Sequence, residues 1–90
     1  MARLRSDADY PDFRRAVLAR DNYTCQMPFC NSRLNLVVHH IKPYGKYSTL
    51  RTNPDNGITL CNKCHRRIFG KEVRYAAMFL RRVYANKKRK

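Results

Sequence analysis

Apolar positions recur along this chain in three rhythms. Phe13, Ala16, Val17 and Arg20 follow helical spacing, with Pro11 and Asp12 suited to a first turn and Asp21-Asn22 to a stop, so a helix is predicted to open at Pro11. Residues 1–9 carry no comparable pattern and read as loose. Leu36-Val37-Val38-His39-His40-Ile41 is rich in β-branched residues and broken by Pro43 and Gly45, which predicts a strand over 36–41. Residues 44–57 read as a polar loop ending in Asn53-Pro54-Asp55-Asn56-Gly57, a dense turn signal. Ile58-Thr59-Leu60 then reads as a short strand pairing with 36–41. A helix is predicted over about 62–69, ended by Gly70, and another from Glu72 to Asn86. In the latter, Val73, Ala76, Ala77, Leu80, Val83 and Tyr84 form an apolar stripe at helical spacing. No internal repeat appears, and no run approaches the ~20 apolar residues of a membrane-spanning helix. The expectation is one α+β domain over 1–90, with a hairpin-plus-helix core at about 20–70, flanking N- and C-terminal helices, and a basic tail at 86–90.

Size and charge sharpen this picture. A core built from 90 residues is marginal by itself and calls for a staple. Twenty Lys and Arg against six Asp and Glu give a formal charge of +14, which attracts polyanions. Six tyrosines, four phenylalanines and 43% hydrophobic content suffice for a folded core, so disorder along the whole chain is excluded.

The cysteines identify the staple. They form two close pairs, Cys25-x4-Cys30 and Cys61-x2-Cys64. Four cysteines in a small chain mean either two disulfides or one tetrahedral Zn²⁺ site. Met1-Ala2-Arg3-Leu4-Arg5-Ser6 lacks the apolar stretch of a secretory signal, so a reducing, cytoplasmic setting is expected, where disulfides rarely persist. Short-spaced pairs suit zinc, because each knuckle supplies two thiolates to one ion. Four thiolates and one Zn²⁺ leave the charge near +12, still strongly basic.

One segment has more chemistry than a zinc module requires. His39, His40 and His65 are the chain's three histidines, and none is needed by a four-cysteine site. A strand pair followed by a helix brings His39 and His40 near His65. Cys61 and Cys64 share a helix face, and His65 is rotated about 100° away from Cys64, toward the hairpin. Two metal sites are therefore allowed, one structural and one open. Adjacent strand residues point to opposite faces, so His39 and His40 can serve one site only at the strand's end or where the strand is distorted.

From Arg20-Asp21 through both knuckles, His39-His40-Ile41-x-Pro43 and Asn56-Gly57-Ile58-x-Leu60-Cys61-x-x-Cys64-His65, the chain resembles the HNH endonucleases, the ββα-metal nucleases common in bacteria and their phages. The resemblance covers about Arg20 to His65 and identifies the family's His, Asn and His with His40, Asn56 and His65. It implies that His40 is the general base, that His39 and His65 hold one catalytic divalent metal (Mn²⁺, Co²⁺, Ni²⁺, Zn²⁺ or Mg²⁺), and that Asn56 braces the loop between the strands by hydrogen bonds to backbone, orienting His40. The family often has Asp where this chain has His39, and many relatives have two residues between the first pair of cysteines where this chain has four. DNA is the implied substrate, with phage DNA-packaging proteins as possible company, no membrane, and a monomer or weak dimer. The compartment is the cytoplasm, that of a bacterial host if the chain is phage-encoded.

The residue types suit that chemistry. Phosphodiester hydrolysis needs water activated near neutral pH, and an ordinary histidine pKa of ~6.5 serves a base there. A divalent ion stabilises charge on the phosphoryl and departing oxygens. Arg66, Arg67 and Lys71 are candidates for clamping phosphates, and Lys87, Lys88, Arg89 and Lys90 for long-range attraction; a solvated basic face is the plainer alternative. Tyr44 and Tyr47 could stack on DNA or simply pack their loop. Asn56-Gly57 is also a generic turn pair. Glu72 is a tempting extra carboxylate for the site, read here as helix-start charge complementing the dipole. Two other functions compete with the nuclease. A non-catalytic zinc module that binds nucleic acid explains the cysteines and charge but leaves the three histidines without a purpose. An RNA-binding accessory protein lacks a stacking-platform signature.

Overall fold

Two strands held between helices build the protein. The computed structural model describes residues 2–42 and 52–88; the expectations for Pro43, Tyr44, Gly45, Tyr47, Arg89 and Lys90 lie outside these. In chain order the elements are α1 (Ala2–Arg20), β1 (Leu36–His40), a 3₁₀ turn (Pro54–Asn56), β2 (Gly57–Cys61), α2 (Asn62–Arg67) and α3 (Glu72–Lys87). The strands pair antiparallel, Leu36 opposite Cys61 and His40 opposite Gly57. This is the expected α+β arrangement: a hairpin, a short helix and two flanking helices around clustered cysteines. No helix among the described residues is long and apolar enough to cross a membrane.

β2 is buried along its whole length. Ile58 and Leu60 join Ile68, Phe79, Val83 and the buried cysteines in the main cluster, while α1 lays Phe13, Val17 and Leu18 against the hairpin. Gly57 makes that approach possible. It is extended (φ −120°, ψ 149°), and a Cβ there would lie 2.8 Å from both Phe13 Cζ and Val17 Cγ2. The Asn56-Gly57 pair is thus not the generic turn its composition suggests. Asn56 ends the 3₁₀ turn, and Gly57 begins β2 at a position where a side chain would collide with α1.

Three further expectations need correction. α1 begins at Ala2 rather than at Pro11, so residues 2–9 are helical, not loose. Proline removes one N–H from the ladder, but its fixed φ is itself helical, so the chain upstream need not turn away. Within α1, Ala16 is exposed and Leu18 is buried in its place. On α3 the buried stripe is rotated: Phe79, Val83 and Asn86 face inward, whereas Val73, Ala77 and Tyr84 face solvent.

A polar network crosses this core. The Arg20 guanidinium donates to both Asp21 carboxylate oxygens at 2.8 Å, to the Pro54 carbonyl at 2.8 Å and to the Gly57 carbonyl at 2.7 Å. Asp21 also accepts from the Thr59 amide at 2.9 Å and from Asn86 Nδ2 at 2.8 Å. Asn86 Nδ2 further donates to Gln26 Oε1 at 3.0 Å. A buried carboxylate needs such donors to offset its desolvation. Asn86, assigned above to the basic tail, belongs instead to this network, and Lys87 is still helical.

A four-cysteine centre and a histidine cleft

The sulfur atoms of Cys25, Cys30, Cys61 and Cys64 all lie within 4.8 Å of one another, with Cys30 Sγ and Cys61 Sγ 3.8 Å apart. Tetrahedral thiolates about 2.3 Å from one Zn²⁺ stand about 3.8 Å from each other. Four sulfurs and no competing donor thus fit a structural metal such as zinc. Cys61 is the N-cap of α2 and accepts from the Cys64 amide at 3.4 Å. Burial works against its thiolate, but the Cys64 amide and then the neighbouring thiols prevail and hold the Cys61 pKa down at about 7. Burial pushes the Cys25 and Cys64 thiols up; a bound cation would supply the charge they lack.

The first knuckle closes through unusual backbone. Asn22, Tyr23, Phe29, Asn31 and Asn35 all have positive φ. Asparagine adopts this region readily, but Phe29, at φ 68° and fully exposed, does so at a cost. The extra residues between Cys25 and Cys30 therefore carry strain.

The histidines gather where β1 ends. His39 faces α2 and α3, its ring centroid 5.4 Å from His65 and 5.7 Å from Phe79, both edge-on. His40 points the other way and stacks on Phe13 of α1 at 5.0 Å, with planes 10° apart. Because β1 stops at His40, both rings still line one cleft of about 510 Å³, walled also by Ile41, Lys42, Glu72, Val73 and Ala76.

Asn56 ties down the backbone beside this cleft. Its Oδ1 accepts from the Lys42 amide at 2.9 Å, its Nδ2 donates to the Lys42 carbonyl at 3.0 Å, and its own carbonyl accepts from the Ile41 amide at 2.8 Å. The residues immediately after His40 are thereby clamped to the turn before β2.

His39 is buried, yet its Nε2 has no hydrogen-bond partner. Burial, then the charge of His65, pushes its pKa down to about 4, with Glu72 opposing and His40 adding to the fall. A neutral imidazole with an unused nitrogen beside a second imidazole is a donor set that suits a divalent cation.

The cationic candidates divide. Arg66, Arg67 and Lys71 are exposed next to His65. Lys87 is paired with Asp55 at 3.1 Å, and Lys88 lies over the Tyr84 ring, 5.2 Å from its centroid, so neither is the free tail that the composition suggests. Three contributions escaped the sequence reading: the Phe13 stack on His40, the Arg20 grip on Pro54 and Gly57, and the place of Glu72 in the cleft wall. The Arg20-Asp21 pair had a visible signal, and so did Glu72 as a spare carboxylate.

Neither a curated protein nor a solved structure matches the chain. The sequence profile of the HNH endonucleases matches residues 24–68, half of the chain and the stretch that holds the four cysteines, both ends of the Asn56 clamp and all three histidines. With its paired knuckles, hairpin and helix in that order, the protein belongs to the HNH endonuclease family, whose domains act on nucleic acids.

Proposed function

We propose that the protein is a metal-dependent DNA endonuclease that hydrolyses phosphodiester bonds in the cleft at the end of β1. The observation that carries this reading is the meeting of three histidines in different surroundings: His39 buried against His65 with its Nε2 unused, and His40 held on Phe13 in the wall of the same cleft.

In this reading His40 accepts the proton of the attacking water. Stacking on Phe13 restricts the ring to one plane, and the Asn56 clamp on Lys42 fixes the backbone that follows. His39 and His65 hold a divalent cation through ring nitrogens, and burial keeps His39 neutral and available. When bound, that cation supplies Lewis-acid stabilisation of charge on the phosphate and the leaving oxygen. Arg66, Arg67 and Lys71 attract and align the phosphate backbone, helped by the overall charge of +14. The four-cysteine centre is structural: it welds β2 and α2 to the first knuckle and keeps His65 facing His39.

The test is nicking of supercoiled plasmid with added Mn²⁺, comparing wild type with His40→Ala. A general base contributes about 10²–10⁴-fold to the chemical step and little to ground-state binding. His40→Ala should therefore lose cleavage by that factor while keeping zinc content, fold and DNA affinity. A wild type that binds DNA and cleaves nothing in any divalent metal would leave the non-catalytic zinc module as the correct function.

A further inference from the structure

Glu72 opens α3 and lies outside the residues that the family profile matches. Its surroundings give it more to do than start a helix. The cleft at the end of β1 has His39 and His40 on one side and Glu72, Val73 and Ala76 on the other. His39 in that wall is only 7% exposed, and its Nε2 is buried without a partner. A buried nitrogen left unsatisfied is costly, so the pocket favours a ligand that can engage it. Gly70, at φ 83°, turns the chain sharply between α2 and α3 and brings the first turn of α3 over the histidines. The backbone amides of Glu72 and Gly70, and then the charges of His39 and His65, hold the Glu72 carboxyl below its usual range.

The donor chemistry points the same way. Two imidazoles alone are a poor match for Mg²⁺ or Mn²⁺, which favour oxygen and negative charge. Glu72 is the one carboxylate among the described residues that wall the cleft.

We propose that Glu72 is the acidic partner of the His39/His65 pair, a positioning residue that sets how tightly the cleft holds a divalent cation. Among the described residues the Glu72 oxygens do not close on one point with the two rings as the cysteine sulfurs do. Glu72 therefore acts through its charge on the cleft, as a carboxylate beside a metal-binding histidine does. This rests on the nuclease reading of the cleft.

The experiment uses the full chain with its cysteine centre loaded with zinc. Mn²⁺ binding is followed by the loss of the free-ion paramagnetic resonance signal. Four proteins are compared: wild type, Glu72→Gln, His39→Asp and the double variant. Glu72→Gln keeps the shape and removes the charge, so Mn²⁺ affinity should fall by about tenfold or more, with zinc content and thermal unfolding unchanged. His39→Asp returns a carboxylate to the cleft and should recover affinity in the Glu72→Gln background far more than it changes the wild type, a non-additive cycle. Affinity unchanged in Glu72→Gln, or an equal effect of His39→Asp in both backgrounds, overturns the proposal and leaves Glu72 as helix-start charge. If Glu72→Gln does not fold, Glu72→Asp replaces it. That variant keeps the helix-start charge but shortens the reach, and wild-type affinity there is equally fatal. Binding that His65→Ala abolishes but Glu72 does not influence sinks this proposal alone. A wild type with no His65-dependent Mn²⁺ binding sinks the cation-holding cleft as well.

Discussion

The four-cysteine centre and the histidine cleft lie at opposite ends of the same strand pair, and they are built to opposite rules. Around the cysteines every donor is already in place: four sulfurs from two knuckles, mutually within 4.8 Å, three of the four residues buried. Around the histidines two rings approach edge-on, a third turns away onto α1, and an open cleft runs beside His39 and His40 without reaching His65. A closed set of four identical ligands has no position left for substrate, whereas an incomplete set beside a cleft does. One arrangement is closed around a single point, the other is left open beside a cleft.

That contrast predicts which changes matter most. Cys64→Ser should remove the metal and, with it, most of the cooperative fold, since a chain of this size has little else to replace the staple. Circular dichroism and metal content should collapse together; a folded, metal-free variant would make the cysteines dispensable and end the comparison.

Acid should strike the cleft through His39. Its folded pKa of about 4 lies below the ordinary 6.5, so the unfolded chain takes up the proton first. Stability is then complete above the ordinary value and declines as pH falls through it toward 4. Burial is the main cause; His65 and His40 add to the shift, and Glu72 opposes it. Relative to His39→Phe, wild type should lose roughly 2 kcal/mol as pH drops from neutral to about 5. Urea unfolding of both proteins at fixed zinc measures this, and parallel losses would show that His39 does not titrate as a buried group.

Asn86→Ala cuts the tie between α3 and the first knuckle, removing donors from Asp21 and Gln26. It should cost about 1–3 kcal/mol in chemical denaturation without changing metal content. The smallest effect is a gain. Phe29→Gly relieves a left-handed phenylalanine that buries nothing, and should raise stability by up to about 1 kcal/mol. A loss there would mean that the strain in the knuckle is compensated by contacts of the exposed ring.

Spacing made the cysteine centre easy to read, because thiolates on two short loops have few alternatives once paired. The strands were legible from their β-branched residues and from the dense turn signal at 53–57 that sets the second one off. α3 was harder. Val73 and Tyr84 are apolar but sit outside, while Phe79 and Asn86 sit inside, and only the packing against β2 decides the rotation. Glycine misled in one place, since Gly57 serves close helix packing and not a turn. Within the site, residue types announced the histidines, and Glu72 was visible as a spare carboxylate but was read as helix-start charge. Its place in the cleft wall depends on how α3 is set against β1 after Gly70, which the spacing of chemical groups does not carry.

The grip of Arg20 has a consequence for how this scaffold can change. One guanidinium holds the Pro54 and Gly57 carbonyls, and Asn56 holds Lys42 by both its backbone groups. The segment that leaves at Lys42 and returns at Pro54 is therefore anchored at both ends by partners that do not depend on its own sequence. Lengthening a loop whose ends are already fixed adds closure entropy only slowly. Whatever sequence joins Lys42 to Pro54, those partners hold the two residues, and with them the backbone beside the histidines, in place. Lysine at position 20, with a single ammonium in place of a planar fork, could not maintain both anchors at once.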